Sequence, residues 1–173
     1  MILKSIFAIP QDLLTAKESV YDPCGLECSD FRAAAESAEY DALTFRLNGQ
    51  FVCYRQAKIT PAKTGQFVTL WKRSEAGPIE PFSVTDTIDL VIISTRKDEQ
   101  SGQFIFPKAV LAARGIISTA QKEGKRGFRV YPPWDIPGSK QAQQTQAWQL
   151  PYFLEGSANC TSSRNRALTL LLP

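Results

Sequence analysis

Residues 42–58 run ALTFRLNGQFVCYRQAK. Leu43, Phe45 and Leu47 alternate with Thr44 and Arg46, Asn48-Gly49 interrupts, and a second β-rich run begins at Gln50. Asn-Gly between two such segments is the strongest short hairpin signal. A type I′ turn needs positive φ at both central residues, and these two types accept it most readily. A two-residue turn then sets the pairing: Leu47 faces Gln50, Phe45 faces Val52 and Leu43 faces Tyr54. Extended outward, the same register places Asp41 opposite Gln56 and Glu39 opposite Lys58. Alternate side chains share a face, so this stripe is apolar near the turn and ends in two carboxylates, an amide and a lysine. Such an ending reads as a site at the rim of a sheet.

Those four residues define a catalytic expectation. Glu39 and Asp41 are suited to ligate magnesium or manganese through oxygen, and Gln56 can add an amide oxygen. The metal would activate a water that Lys58 orients. The bland counterpart is a cross-strand Glu39–Lys58 ion pair, worth about 0.2–1 kcal/mol.

Charge is concentrated just beyond the hairpin. The stretch Tyr54–Arg73, YRQAKITPAKTGQFVTLWKR, carries Arg55, Lys58, Lys63, Lys72 and Arg73 with no carboxylate, whereas the whole chain nets only +3. The remainder is therefore net acidic, and the basic window points to a phosphate-binding surface. Arg55, Lys63 and Gln66 are its candidate contacts, with the loop TPAKTGQ offering lysine and backbone N–H groups to an anion; a solvated loop is the alternative. A second basic cluster, GKRGFRVYPPW, contains Lys125, Arg126 and Arg129 and lacks the upstream glycine of a P-loop. Arginine and aromatics here can clamp a nucleotide or strand, or Tyr131 and Trp134 are core. Ser139 caps a glutamine-rich helix from Lys140 to Leu150, on which Gln141, Thr145 and Trp148 share a stripe and Lys140 lies with Gln144. Gln144 is a candidate phosphate or base contact, against the reading of a solvated face.

The remaining composition narrows the chemistry. The 173 residues contain no histidine, which removes Ser-His-Asp and Cys-His catalysis and histidine-held metals. Cys24, Cys28, Cys53 and Cys160 form no C-x-x-C pair or disulfide framework, so free thiols are expected. Zinc, haem, flavin and nicotinamide are not. No apolar run approaches the roughly 18 residues of a membrane span, and the N-terminal MILKSIFAIP lacks a secretory h-region. The expected location is the cytoplasm, with no membrane partner.

The order of elements predicts an α+β or α/β fold, a mixed central sheet flanked by helices. Residues 3–20 read as a helix disrupted by Pro10, and residues 21–38 as a loop with a helical piece near Phe31–Ala35. Strands follow at 66–72, 88–95, 103–106 and 128–131, and a helix from Pro107 stops at Gly115. Residues 1–155 are expected to form one domain, with 156–173 a loosely attached tail bearing an Asn159-Cys160-Thr161 sequon.

The stretches ESAEYDALTFRLNG, YRQAKITPAKTGQFVTLWKR, GPIEPF, GQFIFPKAVL, GKRGFRVYPPWD and KQAQQTQAWQLPYF resemble the MepB family of bacterial proteins, over roughly residues 36–153. The resemblance implies a restriction-endonuclease-like, PD-(D/E)XK architecture. In that architecture an acid at one strand and an acid-x-Lys on its hairpin partner build a magnesium site. Glu39 or Asp41 would take the first role and Gln56-Ala57-Lys58 the second. Gln56 stands where an acid belongs, unless Glu36 or Asp89 substitutes. Two functions follow: a nucleic-acid- or nucleotide-binding domain, extending to a magnesium-dependent nuclease or phosphodiesterase, or a non-catalytic regulatory or partner-binding module with a degenerate site. Oligomeric state is not legible.

Overall fold

The structure, a computed structural model, describes residues 8–156 and 161–173. Strands β2 (Leu43–Leu47) and β3 (Gln50–Gln56) form the expected hairpin. Their register is Leu47↔Gln50, Phe45↔Val52 and Leu43↔Tyr54. Asn48 and Gly49 take φ of 47° and 80°, as a type I′ turn requires.

Around this hairpin a six-stranded mixed sheet assembles in the order β1-β2-β3-β8-β9-β11, with β1 at Cys28–Ala33, β8 at Leu90–Lys97, β9 at Gln100–Pro107 and β11 at Phe153–Glu155. Only β3 and β8 run parallel. Leu90 to Thr95 are all buried, the pattern of a central strand covered on both faces.

The long connection between β3 and β8 builds a second layer. It holds β4 (Lys58–Thr60), β5 (Lys63–Thr69), and the small ribbon of β6 (Trp71–Arg73) with β7 (Ile79–Pro81). Strand β10 (Gly127–Val130) joins to give a three-stranded antiparallel sheet, β10-β5-β4. Val68, Leu70, Phe128 and Val130 from this layer pack on Cys53, Val91, Ile93, Phe104 and Phe106 of the large sheet. The opposite face, with Phe45, Val52, Tyr54, Ile92 and Ile105, is covered by Leu13 of α1 (Gln11–Ala16), by Val20 and Tyr21 of the π-helical turn that follows, and by Ala167 and Leu171 of α4 (Thr161–Leu171). Helix α2 (Lys108–Ala113) follows Pro107 and stops at Gly115, whose φ is 69°. Helix α3 (Lys140–Gln149) begins where Ser139 Oγ accepts the Ala142 N–H at 3.1 Å.

The fold is thus α+β, and three expectations change. The first helix starts at Gln11, after Pro10; residues 1–7 lie outside the described residues. The helical piece at Phe31–Ala35 is instead β1 with a bulge, paired to β2, and Phe31 stacks on Phe45 at 5.1 Å. On its own so short a helix is marginal, whereas pairing satisfies the open edge of β2. The C-terminal segment is not loose either. Ala167 and Leu171 are fully buried, and Arg166 donates to the carbonyls of Leu150, Pro151 and Phe153. Asn159 and Cys160 of the sequon lie outside the described residues, and Cys24, Cys28 and Cys53 are free thiols. Among the described residues, no helix is long and apolar enough to cross a membrane.

Candidate functional site

One side chain of helix α3 pairs with the backbone edge of β10. Gln149, fully buried, accepts the Tyr131 N–H at 2.8 Å through Oε1 and donates from Nε2 to the Arg129 carbonyl at 2.9 Å. The amide thereby closes the outer edge of β10 as a neighbouring strand would. Between this edge, the face of α3 and the end of α2 lies a cleft of about 340 Å³. Arg114, Lys125 and Arg129 line it with Gln141, Thr145 and Trp148, and no carboxylate does. The stripe Gln141–Thr145–Trp148 thus faces the cleft, as its helical spacing allows.

The three cations keep their charge available. None of them forms an ion pair among the described residues. Arg114 lies over the Trp148 ring, its Cζ 5.1 Å from the centroid. Arg129 donates to Thr60 Oγ1 at 2.6 Å and to the carbonyls of Thr64 and Gly65 at 3.3 and 3.4 Å, all neutral acceptors. Those bonds orient the guanidinium without neutralising it. A concave, acid-free site with three cations and an aromatic wall suits a phosphate-bearing ligand.

At the rim of the hairpin the register that relates the four expected catalytic residues ends. The β2–β3 ladder ends at Leu43↔Tyr54. Residues Ala38–Tyr40 form a single 3₁₀ turn and Asp41 sits at φ 49°, so both acids leave the strand direction. On the partner side the Ala57 N–H donates to the Ser94 carbonyl, and Lys58 begins β4 opposite Phe67 in the other sheet. Gln56 stays with Tyr54, whose hydroxyl lies within hydrogen-bond distance of Gln56 Oε1, which can only accept, at 3.3 Å and of Ser94 Oγ at 2.7 Å. Burial holds that tyrosine hydroxyl well above its ordinary pKa, and the nearby charges of Asp12 and Asp41 add to the effect. Lys58 Nζ lies instead 4.9 Å above the Tyr40 ring, near Glu39, whose charge raises the Tyr40 pKa alongside the larger effect of burial. Neither stand-in repairs the set: Glu36 pairs with Arg73 at 3.5 Å, and Asp89 Oδ2 accepts the Phe51 N–H at 2.8 Å. Among the described residues no group of three acids or thiols is placed to hold a metal. Glu39 and Asp41 are both exposed on an irregular turn.

The family model of MepB-like proteins matches residues 34–155. The chain belongs to the MepB-like family. Its structure is similar to the crystal structure of MepB, at 38% identity and a TM-score of 0.73, over 78% of this chain and 89% of that one. A search of curated proteins gives no match. The MepB-like segment contains the three-stranded sheet, the β6–β7 ribbon, the six-stranded sheet apart from β1, α2, α3 and every residue of the cleft; α1, β1 and α4 fall outside it.

Within this MepB-like segment the other expected contacts scatter. Arg55 is 2% exposed, donating to the Tyr54 carbonyl at 2.8 Å, with its Nε unpartnered. It points into the core, where an inward position of β3 places it, so it is not a surface contact. Gln66 is likewise buried and donates to the Arg96 carbonyl. Arg126 pairs with Glu123 at 3.0 Å. Lys63 is exposed at the β4–β5 turn, beside a separate hollow that also holds Lys97 and Trp134. Gln144 is exposed on α3 and does not line the cleft. Of the expected set, Lys125 and Arg129 come together. Arg114, which the sequence marks only as the last residue before a helix-stopping glycine, completes the trio.

Proposed function

We propose that this MepB-like protein is a recognition domain for a phosphate-bearing ligand, a nucleic acid or nucleotide, taken up in the cleft between β10 and α3. The observation that carries the reading is the acid-free convergence of Arg114, Lys125 and Arg129 beside Trp148. Three cations on three different segments, brought within one concavity with no counter-ion, are poorly explained by solubility alone. Cations that merely solvate a surface are usually interspersed with acids, as Lys72 is with Glu80 and Asp86. No hydrolytic step is part of this reading.

Equilibrium binding tests it. A fluorescein-labelled oligonucleotide is titrated with the protein and with Arg114→Ala/Lys125→Ala, and inorganic phosphate and nucleotides serve as competitors. The expected result is saturable binding that weakens at least tenfold in the double variant while its melting temperature is unchanged. Equal binding by both proteins would move the ligand elsewhere on the surface.

A further inference from the structure

Resting on that reading, we infer that the ligand is single-stranded nucleic acid, and that its track leaves the cleft across the outer face of the three-stranded sheet. The register of β4, β5 and β10 sets Lys58, Phe67 and Arg129 on one rung. Val68 and Val130, one position along, are fully buried against the large sheet, so alternation turns Phe67 and Arg129 outward. Lys58 is exposed, and its Nζ stands 4.9 Å over the Tyr40 ring. Tyr40 meets Phe67 edge-on at 6.3 Å, and the Arg129 guanidinium lies 5.9 Å from the Phe67 centroid. The outer face therefore reads Tyr40, Lys58, Phe67, Arg129, and it continues through Arg129 into the cleft with Lys125, Arg114 and Trp148.

Alternating cations and aromatic rings on an open surface are what a single strand needs. The cations follow the backbone and the rings offer faces to unstacked bases. In a duplex the base faces are already stacked on one another, and reading its groove calls for a protruding helix or ribbon, which neither a sheet face nor a recessed cleft supplies. A free nucleotide would be satisfied by the cleft alone and would leave Lys58 and Phe67 without a part. Glu39, whose charge acts on Tyr40, lies at the Tyr40 end of the track.

The test compares fluorescein-labelled single-stranded DNA and RNA 12-mers, the matching duplex and a nucleoside monophosphate competitor at one salt concentration. The proteins are wild type, Lys58→Ala and Phe67→Leu; the second keeps an apolar side chain and removes the ring. Circular dichroism confirms that each is folded. Lys58 is exposed, so Lys58→Ala carries the test even if Phe67→Leu is destabilised. The expected result is that at least one single strand binds tenfold or more tighter than the duplex. Each variant should then weaken that strand by about 5-fold or more and leave the mononucleotide unaffected. Binding of the duplex as tight as that of either strand, or strand binding indifferent to both variants, would overturn the track while leaving the cleft reading in place. Failure of every ligand to bind would remove both.

Discussion

Gln149 occupies, against Tyr131, the place of a missing strand: its Oε1 takes the Tyr131 N–H at 2.8 Å while its Nε2 serves the Arg129 carbonyl on the same edge. One amide joins the wall of the cleft to its floor. Stability and the proposed binding are coupled at this point.

Replacing Gln149 with leucine should expose that coupling. Two buried backbone groups would lose their partners, at about 2–4 kcal/mol in all. Urea unfolding should show a lowered midpoint and a free energy of unfolding smaller by that amount. Gln149→Glu, which keeps an acceptor for Tyr131 and loses the donor to Arg129, should also destabilise. If Gln149→Leu left the midpoint unchanged, α3 would be held by other contacts.

Truncation at residue 156 should unfold or strongly destabilise the protein. Ala167 and Leu171 are both fully buried in the cluster on the α1 side of the large sheet. Leu171→Ala alone should cost about 2–5 kcal/mol, as deletion of buried methyl groups does. Differential scanning calorimetry of the two forms measures it. A truncated protein melting at the wild-type temperature would show the helix to be dispensable.

Alkaline pH should act through two tyrosines. Burial raises the pKa of both Tyr21 and Tyr54, so each stays protonated in the folded state where it ionises in the unfolded chain. Above the ordinary tyrosine value of about 10 the unfolded state binds fewer protons, and folding stability falls as pH rises. Absorbance at 295 nm should show these two of the five tyrosines ionising only with unfolding, and Tyr54→Phe should flatten the alkaline loss. Full ionisation of all five while the fold persists would contradict the burial.

The hairpin was legible because Asn48-Gly49 admits few turns, and the register it implies is the observed one as far as Leu43↔Tyr54. The extension to Asp41 and Glu39 fails for a physical reason. Period-two alternation says which face a residue shares only while both strands continue, and nothing in the pattern announces that Ala57 hands the chain to a second sheet. Ser139 as a helix cap and the Gln141–Thr145–Trp148 stripe were readable from local spacing. Arg114 was not, because its place in the cleft comes from the packing of α2 against a helix some 30 residues later. Arg55 illustrates the converse: charge in a window identifies a basic segment, but strand alternation sends one of its members inward. The burial of Ala167 and Leu171, four residues apart on one helical face, had a sequence signal that the polar composition around it obscures.

The salt dependence of oligonucleotide affinity puts the cleft to the test. Wild type, Arg114→Ala/Lys125→Ala and a charge-matched control, Arg32→Ala/Arg46→Ala on the far edge of the large sheet, would be titrated at several salt concentrations. The cleft variant should lose at least tenfold in affinity and about two units of salt slope, while the control keeps the wild-type line. Equal losses in the two variants would mean that net charge, and not the cleft, binds the ligand; unchanged binding in the cleft variant would contradict the site itself.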